Sequence, residues 1–122
     1  MADGRVLMNS LFCIPGWYLI EESSATSAGN LAWYLRNLAQ KSDDIYTEIN
    51  KETASISPAD SCPIFLPFIM ASNVHPNAKG SFIGINAYHT RAHIVRSIYE
   101  GIAFCHRWHY ERLRNCMDKN PK

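Results

Sequence analysis

Residues 80–101 read GSFIGINAYHTRAHIVRSIYEG. GSFIGIN is a short apolar run whose Gly80 and Gly84 allow bending or close backbone approach, so it predicts a strand. Thr90 is a natural N-cap. Beyond it Ile94, Val95, Ile98, Ile102, Cys105, Leu113 and Met117 recur at helical spacing with no proline, which predicts one long helix over 90–117, about 40 Å in length. Gly101 costs about 1 kcal/mol relative to alanine inside that helix. Its presence there points to another element approaching closely.

HTRAH places two histidines four residues apart, a spacing that can serve a metal. A zincin pair requires H-E-x-x-H, and here Thr90 stands where the glutamate would be, with Arg91 beside it. His89 falls before the helix and His93 at its N3 position. The expectation is a half capping box, with Thr90 accepting from the His93 backbone N–H and the His93 side chain in the place usually held by Glu or Gln. His106 and His109 lie about 20 Å or more farther along the helix, too far to join one ion. No metal ligand is assigned.

The rest of the chain supplies short strands and two more helices. RVLMNSLF and GWYLIEES flank a Pro15-Gly16 turn, so 1–24 is read as a pair of strands. Adjacent Glu21 and Glu22 face opposite ways on a strand, one solvated and one partnered inward. Leu31, Tyr34, Leu35 and Leu38 form an apolar stripe for a helix over about 28–40, capped by Ser27 or a neighbouring hydroxyl. Ile45 and Ile49 mark a second helix with Ser42 as N-cap, ended by Ser57-Pro58; the two helices together occupy 28–56. In CPIFLPFIMAS, Pro67 limits a buried strand to Leu66, so 63–86 reads as strands and loop.

Composition narrows the function. The chain has 122 residues, 47% of them hydrophobic, and a formal net charge of +1. It is one domain at most, without the basic excess of a nucleic-acid binder, and the tail RWHYERLRNCMDK is read as a solvated helix face. No apolar run is long enough to span a membrane, and no signal peptide is recognisable. Cys13, Cys62, Cys105 and Cys116 show no zinc spacing. Cys105 and Cys116 would lie about 16 Å apart on one helix, beyond the roughly 7 Å a disulfide spans, so reduced cysteines and a cytoplasmic location are expected.

No G-x-S-x-G elbow, papain-like cysteine context or Walker pattern occurs. The one candidate phosphate site is the head of the first helix, where Thr26, Ser27, Ala28, Gly29 and Asn30 are all small or polar and leave backbone N–H groups open to an anion.

G-S-F-I-G-I, then seven residues, then H-I-V-R-S-I-Y-E, from Gly80 to Glu100 without a gap, resembles the second signature of the FGGY carbohydrate kinases. SSATSAGNLAWYL resembles the first C-lobe helix of that family and PIFLPFIMASNVHPNAKG the strand and loop before its signature. TSAGNLAW, FLPF, HTRAH and IYEG are similar to the L-xylulose and 3-keto-L-gulonate kinases in particular. The resemblance implies part of the C-terminal lobe of an actin-like, ribonuclease H-like α/β sugar kinase. The activity it implies is transfer of the ATP γ-phosphate, with Mg²⁺, to a ketopentose or keto-sugar acid.

By the same resemblance Ser27, Ala28, Gly29 and Asn30 lie beside the nucleotide phosphates, and Glu100 is a buried hydrogen-bonding residue. Related kinases often have glycine where Ala28 stands, and many have G-E-R-x-P where this chain has Ala71-Ser72-Asn73-Val74-His75-Pro76. The Asp-x-Gly phosphate loop, the sugar contacts, the catalytic aspartate and the later glycine-rich adenosine turn of the family have no counterpart in residues 1–122. The expected partners are therefore the remainder of the kinase chain, the sugar and ATP, with self-association into a homo-oligomer. The isolated chain is expected to be inactive. The alternative is a stand-alone helical protein-interaction module without catalysis.

Overall fold

The structure, a computed structural model, describes residues 8–23, 27–72 and 74–115. In chain order the elements are β1 (Met8–Leu11), β2 (Tyr18–Glu21), α1 (Ser27–Asn37), α2 (Ile45–Ala54), β3 (Ile64–Leu66), β4 (Ser81–Ile83) and α3 (Arg91–Asn115). β1 and β2 form an antiparallel hairpin, with Met8 opposite Glu21 and Leu11 opposite Tyr18. The Phe12 N–H donates to the Trp17 carbonyl at 3.1 Å and carries the ladder toward the Pro15-Gly16 turn. β3 and β4 form a second antiparallel pair, with Phe65 opposite Phe82.

α3 is the spine, against which α1, α2 and β3 all pack. The core is Tyr34 from α1, Ile49 from α2, Phe65 from β3, and Val95 and Ile98 from α3, all buried. Each such side chain contributes about 2 kcal/mol through burial. Gly101 meets β3 directly: a Cβ there would lie 2.6 Å from the Phe65 carbonyl oxygen, so only glycine lets the strand backbone rest on the helix. Gly84 follows β4 at φ 82°, a left-handed conformation in which a Cβ is disfavoured.

Polar clamps join the helices. Arg91 grips Glu52 through two nitrogens, one at 2.9 Å, and reaches Glu48 at 3.9 Å. Hydrogen bonding to Arg91 holds the Glu52 carboxyl below its usual range and raises the guanidinium. Arg96 donates to the Ile56 and Ser57 carbonyls just past the end of α2, at 3.2 and 2.7 Å, and pairs with Glu100 at 2.8 Å.

Several local expectations are corrected. α1 ends at Asn37 rather than near residue 40, which leaves Leu38 past the helix and 60% exposed. The N-cap of α2 is Asp44, with no side-chain cap bond; the Ser42 hydroxyl instead donates to Glu48 and accepts from the Asp44 N–H. Glu100 is not buried: its side chain is 41% exposed and serves the Arg96 pair. The C-terminal stretch of α3 is not wholly a solvated face, since His109 is buried. Residues Cys116 and Met117, placed in that helix from the sequence, and Thr26 at the head of α1 fall outside the described residues.

Candidate functional site

The head of α1 opens on small residues. Ala28 and Gly29 are exposed, and a Cβ on Gly29 would meet only the Met70 side chain, at 3.7 Å. No acidic residue occupies the first turn, so nothing there repels an anion from the N–H groups. Ser27 and Asn30 are engaged by the fold. The Ser27 hydroxyl lies 2.8 Å from Nε2 of His106 on α3. Asn30 is fully buried, and its side-chain amide donates to the Ser27 carbonyl at 3.2 Å. The four candidate residues therefore share one turn held from behind by α3, with backbone exposed at Ala28 and Gly29. His106 was not picked out from the sequence, because its partner is 79 residues away and helical spacing alone does not reveal it.

Larger concavities lie elsewhere. One of about 580 Å³ sits at the opposite end of α1, lined by Arg36, Lys41, Ser42 and Tyr46. An apolar groove of about 330 Å³ runs between β3 and α3, lined by Ile64, Leu66, Phe104, Cys105 and Trp108. Neither includes Ser27 to Asn30.

HTRAH is occupied locally. His89 Nδ1 accepts from the Asn86 N–H at 3.1 Å, and its Nε2 faces the Ser61 carbonyl at 3.2 Å. His93 Nδ1 accepts from the Thr90 N–H at 3.2 Å and lies 2.9 Å from the Thr90 hydroxyl. This is the reciprocal half of the capping box, with histidine acting as the N3 acceptor, rather than the half in which Thr90 accepts from the His93 N–H. Among the described residues no three His, Cys, Asp or Glu side chains gather around a common point.

Glu22 turns inward and Glu21 outward. The Glu22 carboxylate accepts from Arg112 Nη1 at 2.8 Å and from His109 Nδ1 at 2.9 Å. Arg112 also stacks its guanidinium over the Trp108 ring at 4.7 Å. His109 Nε2 is buried and has no hydrogen-bond partner among the described residues.

The ungapped signature strand, turn and helix, with a small-residue helix head packed on the same spine, agree with one comparison that spans nearly the whole sequence. The model of the FGGY family of carbohydrate kinases, C-terminal domain, matches residues 3–122. The chain belongs to this family.

Among curated proteins this FGGY chain is 40% identical over 99 residues to the L-xylulose/3-keto-L-gulonate kinase of Escherichia coli, covering 81% of the chain and 19% of that protein. It is 39% identical over 99 residues to a probable L-xylulose kinase of Pasteurella multocida, covering 81% and 20% respectively. The chain thus spans about a fifth of the length of these relatives. Among solved structures, the xylulose kinase of Rhodospirillum rubrum superimposes with a TM-score of 0.79 at 23% identity, over 92% of this chain and 23% of that one. The α/β fragment of a C-terminal lobe is thereby shown as its fold. No helix among the described residues is long and apolar enough to cross a membrane.

Proposed function

We propose that this chain is a segment of the C-terminal lobe of an ATP-dependent sugar kinase. The parent transfers the ATP γ-phosphate to a hydroxyl of a ketopentose or keto-sugar acid of the L-xylulose type. The observation that carries the reading is the match at 39–40% identity to kinases named for L-xylulose and 3-keto-L-gulonate.

In this reading the backbone N–H groups around Ser27, Ala28, Gly29 and Asn30 line the nucleotide phosphates. The open Ala28-Gly29 surface and the absence of a first-turn carboxylate fit an anion of that size. ATP supplies the transferred group, and Mg²⁺ neutralises its phosphates. Among the described residues no three His, Cys, Asp or Glu side chains gather around a common point, and no residue of this segment is assigned to the metal. The contribution of this segment is positioning. α3 and the Ser27–His106 and Asn30–Ser27 bonds hold the α1 head in one orientation. Residues 1–122 contain no Asp-x-Gly loop, so the chain alone does not turn over. A cytoplasmic location suits the exposed thiol of Cys13 and the half-exposed thiol of Cys62.

The test is an assay of the full-length kinase encoded around this segment with L-xylulose, L-ribulose, D-xylulose and 3-keto-L-gulonate. ATP-dependent phosphorylation of one or more is expected, and none with any of the four refutes the reading. The stand-alone interaction module is separated by the reading frame on either side. A kinase continues into an Asp-x-Gly-[Thr/Ser] upstream and a glycine-rich turn downstream.

A further inference from the structure

The turn that joins β4 to α3 is held by two imidazole rings. The Asn86 N–H donates to His89 Nδ1 at 3.1 Å, and the Thr90 N–H donates to His93 Nδ1 at 3.2 Å. A neutral ring whose Nδ1 accepts carries its proton on Nε2. His89 Nε2 accordingly faces a group that can only accept, the Ser61 carbonyl, at 3.2 Å. Both rings are half-buried, and their centroids lie 5.5 Å apart. Two more bonds close the turn: the His89 N–H donates to the Asn86 carbonyl at 3.2 Å, and the Tyr88 N–H to Asn86 Oδ1 at 2.9 Å.

An imidazolium has two donors and no acceptor. Protonation therefore strips the Asn86 or the Thr90 N–H of its partner, whichever way the ring turns. At His93 the added proton can go to the Thr90 hydroxyl, 2.9 Å away, but the Thr90 N–H is still left over. His93 also sits in the first turn of α3, where the helix dipole opposes a cation and no acidic residue offsets it. The charged groups of the surrounding elements are already engaged. Arg91, between the two histidines, is paired with Glu52 and Glu48 of α2. Arg96 is paired with Glu100, and Asp60, beside Ser61, accepts from the Ser57 N–H. The Cys62 thiol and the Tyr34 hydroxyl of α1 are pushed up by burial and carry no charge near neutrality. Among the described residues it is His109, not His89 or His93, that lies within ion-pair distance of a carboxylate.

We propose that HTRAH is an acid-sensitive latch on the junction of β4 with α3, closed while His89 and His93 are neutral and released when they gain a proton. The hold is complete near about pH 8 and is lost toward about pH 5, the range over which imidazoles ordinarily change charge. Val95 and Ile98 are buried farther along α3, so the release is confined to the turn and the helix start. The proposal stands on this geometry and does not depend on which sugar the parent kinase uses.

The test reads the rings and the amides separately in the 122-residue chain. Imidazole nitrogen resonances at pH 8 are expected to show both His89 and His93 protonated on Nε2; an Nδ1-protonated ring at either position overturns the proposal. Hydrogen-exchange protection factors, which correct for the intrinsic effect of pH, are then followed from pH 8 to pH 5. Those of the Asn86 and Thr90 amides are expected to fall about fivefold or more, while that of Ile98 holds. The double variant His89→Asn, His93→Gln keeps an acceptor at each place but cannot titrate, so its two amides are expected to change by less than about twofold. An equal fall in the variant, no fall in the unmodified chain, or a parallel fall at Ile98 each overturns the latch. If the variant does not fold, the ring tautomers and the contrast between Asn86 and Ile98 in the unmodified chain decide. If the chain alone does not hold α3, the same contrast is read in the full-length kinase on peptides spanning 84–93 and 94–104.

Discussion

At single residues, the positions that matter most are those where two elements meet with no space or no solvent. Gly101 is one. A methyl group there would press on a main-chain carbonyl, which cannot rotate away as a side chain can. Gly101→Ala is expected to cost about 2 kcal/mol despite its better helix propensity, seen as a lower urea midpoint with an unchanged slope. Glu22 is another. Glu22→Ala leaves Arg112 and His109 facing a vacancy and is expected to cost about 3 kcal/mol, while Glu22→Gln costs less because it can still accept from one of them.

Glu52 gives a pH signature. Its folded carboxyl is held down by Arg91, so the unfolded state binds protons more readily. The added stability is present above the ordinary value of 4.5 and is lost as pH falls through the lower folded value. Thermal melts of the parent chain and Glu52→Gln should therefore differ at neutral pH and converge in acid. A constant offset across the range would show that Arg91 contributes nothing through charge.

Among the elements, α3 was the most legible in the sequence and the short helices the least. Its apolar period is long and unbroken, Thr90 marks its start, and a glycine in mid-helix announced the close contact later found with β3. Periodicity could not tell that α1 stops at Asn37, because Leu38 continues the stripe while the chain has already turned away. Nor could local sequence choose Asp44 over Ser42, since either side chain is chemically able to cap. Strand alternation placed one of Glu21 and Glu22 inward, but not its partners, which lie 87 and 90 residues away. The phosphate-site candidates were readable as small residues at a helix head. The His106 contact behind them depends on how α1 crosses α3, which tertiary packing decides. Replacing His93 tests the α3 start. His93→Ala removes the acceptor of the Thr90 N–H and is expected to cost about 1 kcal/mol, while His93→Gln, an ordinary capping-box residue, recovers most of it.

For the whole molecule, the balance of buried and exposed apolar surface leaves much of the large apolar surface uncovered among the described residues. The buried core gathers around Tyr34, Ile49, Phe65, Val95 and Ile98, whereas Trp17, Tyr18, Leu11, Ile64, Phe104 and others of similar size remain open to solvent. A monomer with apolar patches of this extent, and with outer strand edges unpaired among the described residues, lowers its free energy by covering them. In isolation a second copy can supply that cover, so the purified chain is expected to run as dimers or larger species whose size grows with concentration in light scattering. Charge placed on the hairpin separates this association from general misfolding. Leu19→Lys and Tyr18→Lys together should shift the chain toward monomer and leave the far-ultraviolet helical signal of α1, α2 and α3 unchanged, because among the described residues neither β1 nor β2 packs extensively against a helix. A stable monomer at all concentrations for the unmodified chain would mean that this surface is tolerated in water.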